Sequence, residues 1–243
     1  MTDVLVLCYH AVSERWPADL SITPQSLREQ LRLLLRKGYQ PTTFHAAVTR
    51  VPAHKTLAVT FDDAFKSVFD VAFPILSELD VPGTVFVPTA FIDSPLSWPG
   101  IDHWARSPYA AELGGMSWAE LGELADAGWE IGSHTHSHPR LTRLDDGALF
   151  AELDQSRNAC ERELGRPCSS LAYPYGDFDA RVVEAARAAG YLAGGTLPSR
   201  LYRALPLSWP RAGVYHRDSL RRFRLKTSAS VRRVRTQVEG RMR

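Results

Sequence analysis

Apolar runs alternate with amphipathic stretches along most of the chain. Short runs with little polar interruption are typical of buried strands. They occur at 4–7, 57–60, 83–87, 129–132, 170–173, 191–193 and 212–215. Elsewhere apolar residues recur every three or four positions, as in helices packed on one side. These stretches are 24–37, 65–80, 117–128, 145–164 and 179–189. Strands that alternate with helices indicate an α/β protein with a parallel sheet or barrel inside a layer of helices.

Local signals mark several of the helix ends. Thr23 and Pro24 form a cap and first turn, and Ser117 opens a capping box. Pro74 falls inside a helical stretch and predicts a kink there. Residues 91–115 are rich in proline, glycine, tryptophan and tyrosine, which predicts a long loop over one face. A functional role and a packing role for this loop are equally open.

Length and composition fit one large globular domain. The chain has 243 residues, of which 44% are hydrophobic and 23% charged. No apolar run approaches the ~20 residues that span a bilayer. The first residues lack the basic segment and cleavage site of a signal peptide, so we expect none. Three cysteines without CxxC spacing predict small buried side chains in a reducing compartment, and therefore a cytoplasmic protein. They are Cys8, Cys160 and Cys168.

Charge divides the sequence into an acidic body and a basic end. Residues 211–243 hold eleven Arg or Lys and two acids, a net charge of +9, whereas the other 210 residues carry −7. We therefore divide the chain into a globular domain at 1–216 and a basic helix or tail at 217–243. Such a tail is either a solvated, mobile segment or a surface attracted to anionic lipid headgroups at the membrane periphery. The acidic body argues against nucleic acid as the partner.

Two adjacent carboxylates, Asp62 and Asp63, lie just beyond the apolar run at 57–60. Aspartate is rare in strand interiors, so the pair is expected at the carboxyl end of that strand, where α/β proteins gather catalytic groups. Two like charges side by side are unfavourable unless a cation or a shared proton lies between them. The alternative is a pair of solvated aspartates at a turn.

A histidine cluster follows the predicted strand at 129–132. His134 and His138 are four residues apart, so on a helical turn they would share one face, while His136 points elsewhere. Because the carboxyl ends of parallel strands meet at one face, these histidines are expected beside the aspartates. Two imidazoles and one carboxylate are typical of a catalytic metal site with open positions for water and substrate.

The same reasoning separates the two aspartates. If Asp63 is the metal ligand, Asp62 is free to act as a base, since adjacent residues leaving a strand point in different directions. A metal lowers the pKa of its bound water to about 7, and a carboxylate can then remove the proton during attack.

These residues resemble the motifs of the polysaccharide deacetylase family, also called the NodB homology domain or carbohydrate esterase family 4. The stretch Thr60-Phe61-Asp62-Asp63 is similar to its TFDD motif, with Ala64 where glycine is usual. The stretch His134-Thr135-His136-Ser137-His138 is similar to its histidine motif. The similarity covers most of residues 1–215.

The resemblance implies both a fold and an activity. The fold would be a deformed (β/α)7 TIM-like barrel, and the activity the removal of N- or O-acetyl groups from sugars, most often N-acetylglucosamine units. Asp63, His134 and His138 would hold a divalent ion, zinc or another such as Co or Ni. Asp62 would be the general base, and the partner would be an N-acetylated carbohydrate.

The third motif of the family departs from its usual form. It reads Ala172-Tyr173-Pro174-Tyr175, so the arginine that orients the base is missing. Tyr175 is retained, and the resemblance implies that its backbone N–H belongs to the oxyanion hole. Arg211, which enters the last predicted strand, is our candidate replacement. An ordinary surface charge is an equal interpretation of Arg211.

The histidine that the family uses as an acid also needs a replacement. The stretch Leu7-Cys8-Tyr9-His10 fits the L-x-x-H pattern, but at the opposite end of the chain. It resembles the circularly permuted branch typified by deacetylases of exported poly-N-acetylglucosamine. His10 would then end a strand at the active face and protonate the leaving amine. A strand-end histidine in packing contact is the alternative.

The sequence thus predicts a metal-dependent deacetylase of an N-acetylated sugar. A degenerate glycan-binding module that keeps the metal is one competitor, because the motif-three arginine is missing. A two-histidine, one-carboxylate iron oxygenase is the other, although that site favours an H-x-D…H order on an all-β barrel. The acceptor remains open among free sugar, nucleotide sugar, lipid-linked intermediate and polymer.

Overall fold

The computed structural model describes residues 3–52, 54–197 and 204–232. The strands are β1 (Asp3–Tyr9), β2 (Ala11–Val12), β3 (Ser21–Ile22), β4 (Gln40–Thr42), β5 (Lys55–Phe61), β6 (Gly83–Val87), β7 (Glu130–Ser133), β8 (Ser170–Ala172), β9 (Ala193–Thr196), β10 (Trp209–Pro210) and β11 (Ala212–Gly213). The α-helices are α1 (Pro24–Arg36), α2 (Phe44–Thr49), α3 (Phe73–Glu78), α4 (Trp118–Asp126), α5 (Asp146–Leu164), α6 (Ala180–Ala188) and α7 (Leu220–Lys226).

Eight parallel strands form a nearly closed barrel in the order β10-β9-β8-β7-β6-β5-β1-β11. Strands β10 and β11 are two halves of one extended segment, interrupted at Arg211. The first half pairs with β9 and the second with β1, so this segment brings the two edges of the sheet together. If β10 and β11 are counted as one strand, the barrel has seven strands. This is the TIM-like α/β barrel that the sequence predicts.

The central strands are buried because they are almost wholly apolar. Residues 5–9 of β1 and 56–61 of β5 are all buried, as expected for a parallel strand covered on both faces. The expected helix caps are present: Thr23 accepts a hydrogen bond from the Ser26 backbone, and Ser117 and Glu120 form the reciprocal capping box. All three cysteines are free and buried, as predicted.

Two predicted elements differ from the observed ones, and one strand of the barrel was not predicted. The helix at 65–80 is a π-helical turn at Val68–Ala72 followed by α3, and the change of register immediately precedes Pro74, which cannot donate a backbone hydrogen bond. The strand predicted at 191–193 begins only at Ala193 and continues through two glycines. Strand β10 was not predicted, because proline and arginine break its apolar pattern.

The described part of the basic end packs on the barrel. Phe223 of α7 is fully buried in the main core, and Arg232 pairs with Asp3 at 2.6 Å and donates to the carbonyl of Val4 at 3.1 Å. The interpretation of a mobile tail is therefore wrong for this part; residues 233–243 lie outside the described residues. Within the described ranges, we find no helix with the length and apolar character needed to cross a bilayer.

Candidate metal centre and active site

Four strands deliver the predicted site residues to one edge of the barrel. Asp62 and Asp63 follow β5, and His134 follows β7. His10 follows β1, and Tyr175 lies three residues beyond β8. Because all these strands are parallel, their carboxyl ends open on the same face, which is the usual place for active sites in barrels of this type.

One carboxylate and two imidazoles converge at the centre of this face. Oδ1 of Asp63 lies 3.3 Å from Nε2 of His134 and 3.4 Å from Nε2 of His138, and all three residues are buried. Among the described residues, Oδ1 of Asp63 has no hydrogen-bond partner. Ligand atoms bound at about 2.0–2.1 Å to a tetrahedral zinc ion stand about 3.3 Å apart, so the three side chains fit a divalent ion.

The two imidazoles are prepared differently for this role. His134 places Nδ1 2.7 Å from the carbonyl oxygen of Ala172, a contact that directs Nε2 toward Asp63 and is typical of metal-binding histidines. The pKa of His138 is lowered to about 3. Burial is the main cause, and the charge of the neighbouring His134 is the second. The His138 ring is therefore neutral near pH 7, which is the form that binds metal.

The histidine loop is not the helical turn that the spacing suggested. Thr135 and His138 both have left-handed backbones, with φ of 67° and 61°. His138 precedes Pro139, and a residue before proline is disfavoured in the α conformation. The loop is held instead by the side chain of Thr135, which accepts a hydrogen bond from the backbone of His138 at 3.1 Å. His136 points away, as predicted, and contacts Thr89.

The exit from β5 also uses unusual backbone geometry. Asp63 and Ala64 are consecutive left-handed residues, with φ of 73° and 53°. This conformation is costly for residues with a Cβ atom, and glycine adopts it freely. The glycine usual in the related motif is thus explained by the backbone at this position. The turn sends the side chains of Asp62 and Asp63 to different partners.

Asp62 is held by Arg211 rather than by the histidines. The guanidinium makes two parallel contacts to the carboxylate, at 2.6 and 2.7 Å, and a third to the hydroxyl of Thr60 at 3.1 Å. Arg211 is buried, so its interpretation as a surface charge is wrong. Burial raises the pKa of Asp62, but the charges of Arg211 and His134 lower it by more, so the carboxylate stays ionised.

Cys8 in β1 and His10, directly after β1, complete the surroundings of Asp62. The thiol of Cys8 donates to Oδ2 of Asp62 at 3.3 Å, and burial raises the pKa of that thiol, so it remains a donor. His10 is 7% exposed, and its Nδ1 has no hydrogen-bond partner within the described part of the chain. Cys8, His10 and Asp62 together place ligand atoms within 4.8 Å of one another. No pattern in the sequence indicates that Cys8 contacts Asp62.

Aromatic rings form a wall beside the metal centre. The ring of Trp98 lies 4.3 Å from that of His138, and the ring of Tyr175 lies 4.8 Å from it. Tyr175 has a left-handed backbone with φ of 60° and remains 37% exposed. The guanidinium of Arg140 covers the Tyr175 ring at 4.2 Å. Trp98 and Arg140 were not predicted as site residues, although Trp98 belongs to the long aromatic loop.

Fold and site together define a class of protein: a TIM-like α/β barrel with an Asp–His–His group at the carboxyl ends of its strands. A family model described as polysaccharide deacetylase matches residues 49–194, which is more than half of the chain. The chain belongs to the polysaccharide deacetylase family, whose members are hydrolases. His10 and Arg211 both fall outside the matched residues.

Individual relatives agree with this assignment, and a solved structure has the same fold. YxkH of Bacillus subtilis is 24% identical over 196 residues, 79% of this chain and 63% of YxkH. The poly-beta-1,6-N-acetyl-D-glucosamine N-deacetylase of Staphylococcus epidermidis is 24% identical over 223 residues, 81% of this chain and 73% of the relative. The structure of Streptococcus pyogenes deacetylase PplD in complex with acetate has a TM-score of 0.75 at 22% identity, covering 93% of this chain and 98% of PplD. The predicted barrel fold is confirmed.

Proposed function

We propose that this chain is a metal-dependent hydrolase that removes acetyl groups from an N-acetylated sugar, with a glycan or glycoconjugate containing N-acetylglucosamine as the substrate. One observation carries the proposal: Asp63, His134 and His138 converge beside a second carboxylate, Asp62, that Arg211 keeps out of the ligand set. The Staphylococcus relative, named for deacetylation of poly-N-acetylglucosamine, supports the substrate class.

Asp63, His134 and His138 would hold the ion, and zinc, cobalt and nickel all suit two imidazoles and a carboxylate. When bound, such an ion supplies Lewis acidity, which polarises a carbonyl and acidifies water. Asp62 accepts the proton of the attacking water on its carboxylate. Arg211 holds that carboxylate in one orientation through two parallel contacts, which is the positioning role of the missing motif-three arginine.

The leaving amine needs a proton, and His10 is the candidate donor. Its ring lies in the same buried pocket, close to the carboxylate of Asp62. The backbone N–H of Tyr175 is the candidate donor to the oxygen on which negative charge develops. Base, acid and oxyanion donor would thus come from the ends of β5, β1 and β8.

The observations that favoured the two competing functions no longer do so. The degenerate module was motivated by the missing arginine, and Arg211 now contacts the base directly. The iron oxygenase site favours an all-β barrel, whereas this barrel is built from parallel strands with helices between them.

An acetate-release assay tests the proposed function. The metal-loaded protein is incubated with N-acetylglucosamine, a nucleotide-linked form, a lipid-linked form and a poly-N-acetylglucosamine oligomer. We expect acetate from at least one of the four and none after chelation. Absence of acetate from all four, with metal bound at the predicted ligands, would overturn the proposal.

A further inference from the structure

A row of flat side chains in contact, tilted against one another, runs from the metal centre to the protein surface. Trp98 and Tyr175 contact His138 with ring centroids 4.3 and 4.8 Å away, and the guanidinium of Arg140 lies 4.2 Å from the centroid of the Tyr175 ring. Arg140 and Tyr175 are both exposed. The row therefore ends in a cation at the mouth of the site.

The backbone fixes Arg140 at this place. It lies two residues after His138, behind Pro139, and its carbonyl oxygen accepts a hydrogen bond from the backbone of Arg143 at 3.0 Å. The next residue, Leu141, is fully buried in an apolar cluster that also contains Leu149 and Leu171. The position of Arg140 is thus coupled to a metal ligand on one side and to the core on the other.

The charge of Arg140 is not neutralised by the protein. In the ranges that the structure describes, no carboxylate forms an ion pair with it. The acids of the neighbouring segments are engaged elsewhere. Asp177 accepts from the hydroxyl of Thr142 at 2.6 Å, and Asp146 pairs with Arg181 at 2.9 Å. A guanidinium that lies over an aromatic ring keeps N–H groups available for other partners, and these suit two-point contacts to phosphate or carboxylate.

We propose that Arg140 and Tyr175 form a subsite for an oxyanion that the substrate carries next to its N-acetylated sugar. The subsite rests on the proposed deacetylation, because the sugar must place its acetamide at His138 for the neighbouring group to reach Arg140. The substrate class is then an acidic glycan or glycosyl phosphate rather than a neutral polymer. Phosphate and carboxylate share the required chemistry.

Matched sugar pairs test this subsite. In the phosphate arm, kcat/KM for acetate release is compared between N-acetylglucosamine 1-phosphate and methyl N-acetylglucosaminide. In the carboxylate arm, a hyaluronan tetrasaccharide is compared with a chitin tetrasaccharide. We expect the wild type to favour the anionic member in at least one arm, which identifies the oxyanion. Arg140→Gln should lower that anionic-to-neutral ratio about tenfold or more. The matched control Arg143→Gln, also exposed, should keep the wild-type ratio.

Two results would overturn the subsite. One is a wild type whose kcat/KM shows no preference for the anionic sugar in either arm. The other is an Arg140→Gln variant in which kcat/KM falls equally for both members of each pair. Failure of the proposed function is separated by calorimetry. If no sugar releases acetate, calorimetry measures how tightly the wild type and the Arg140→Gln variant bind the same four sugars. Weaker binding of the anionic sugars alone would support the subsite, and equal binding would overturn it.

Discussion

At the scale of residues, the site depends on two neighbouring aspartates that have different partners. Asp62 contacts Arg211 and Cys8, whereas Asp63 faces the two histidines. A left-handed turn between the strand and the following segment separates their directions. Because Asp62 is buried and charged, its interaction with Arg211 determines how much its burial costs the fold.

Arg211→Met is expected to destabilise the metal-free protein by about 3–5 kcal/mol, because it leaves the Asp62 carboxylate buried without its counter-charge. Arg211→Lys keeps the charge but loses the two-point contact, so it should lower the free energy of unfolding by less than Arg211→Met does. Adding Asp62→Asn to Arg211→Met removes the unpaired charge and should recover part of the stability. Urea denaturation of the four proteins measures these differences. A stability for Arg211→Met within about 1 kcal/mol of wild type would contradict the pairing, since exposed pairs contribute that little.

The pH dependence of activity should report the protonation of His10. Burial lowers the pKa of His10, and the charges of Asp63 and Asp62 restore only part of the shift. A proton donor with a lowered pKa is protonated only at lower pH, so kcat/KM should fall as pH rises through a value below the usual ~6.5.

His10→Gln should lower kcat/KM by about 10²–10⁴ and remove this alkaline limb, whereas the exposed control His103→Gln should leave the profile as it is. The measurement is a kcat/KM profile on the best substrate. An unaltered limb in His10→Gln would assign the acid to another group.

At the scale of elements, apolar patterning predicted the strands of the barrel and the face on which their ends meet. It could not predict the histidine loop, because a four-residue spacing fits a helical turn as well as a turn with left-handed residues. It also missed β10, where Pro210 and Arg211 interrupt the pattern. Arg211 reaches Asp62 only because the segment bridges β9 and β1. Such a contact joins residues 149 apart and has no local signal.

One glycine in β9 makes room for this contact. A Cβ atom at Gly195 would lie 2.7 Å from Nε and 2.8 Å from Cδ of Arg211. Gly195→Ala is therefore expected to displace the guanidinium, to cost about 1–3 kcal/mol and to lower acetate release. The matched control is Gly122→Ala in α4, where a Cβ meets nothing within 4 Å and alanine favours the helix. Denaturation and acetate release are measured for both. Wild-type activity in Gly195→Ala would show that the position of Arg211 is unimportant.

At the scale of the whole molecule, barrel closure places the first strand beside the last. β1 pairs with both β5 and β11, which brings His10 to the same face as the residues of β5 and β7. The basic end of the chain also belongs to this body. Deleting residues 217–243 would remove Phe223 from the core, so a membrane role is better tested by changing surface charges on α7.

The predicted attraction to anionic membranes depends on exposed arginines of α7. Arg221 and Arg224 are exposed beside Leu225, which is 64% exposed. Each arginine near an anionic surface contributes about 1 kcal/mol, so reversing both charges should strongly reduce binding. Co-sedimentation with phosphatidylserine vesicles measures it at low and high salt. The control reverses two exposed arginines elsewhere, Arg50 and Arg162. Equal sedimentation of the α7 variant and wild type would contradict the prediction.

The central claim is that Asp62 is the base and Asp63 is the metal ligand. The most direct measurement is bound metal and acetate release for Asp62→Asn and Asp63→Asn, side by side. We expect Asp62→Asn to bind one ion per chain as the wild type does and to lose acetate release by at least about 10²-fold. Asp63→Asn should instead lose metal affinity, about tenfold or more. Full acetate release by Asp62→Asn, or wild-type metal affinity in Asp63→Asn, would contradict the division of roles.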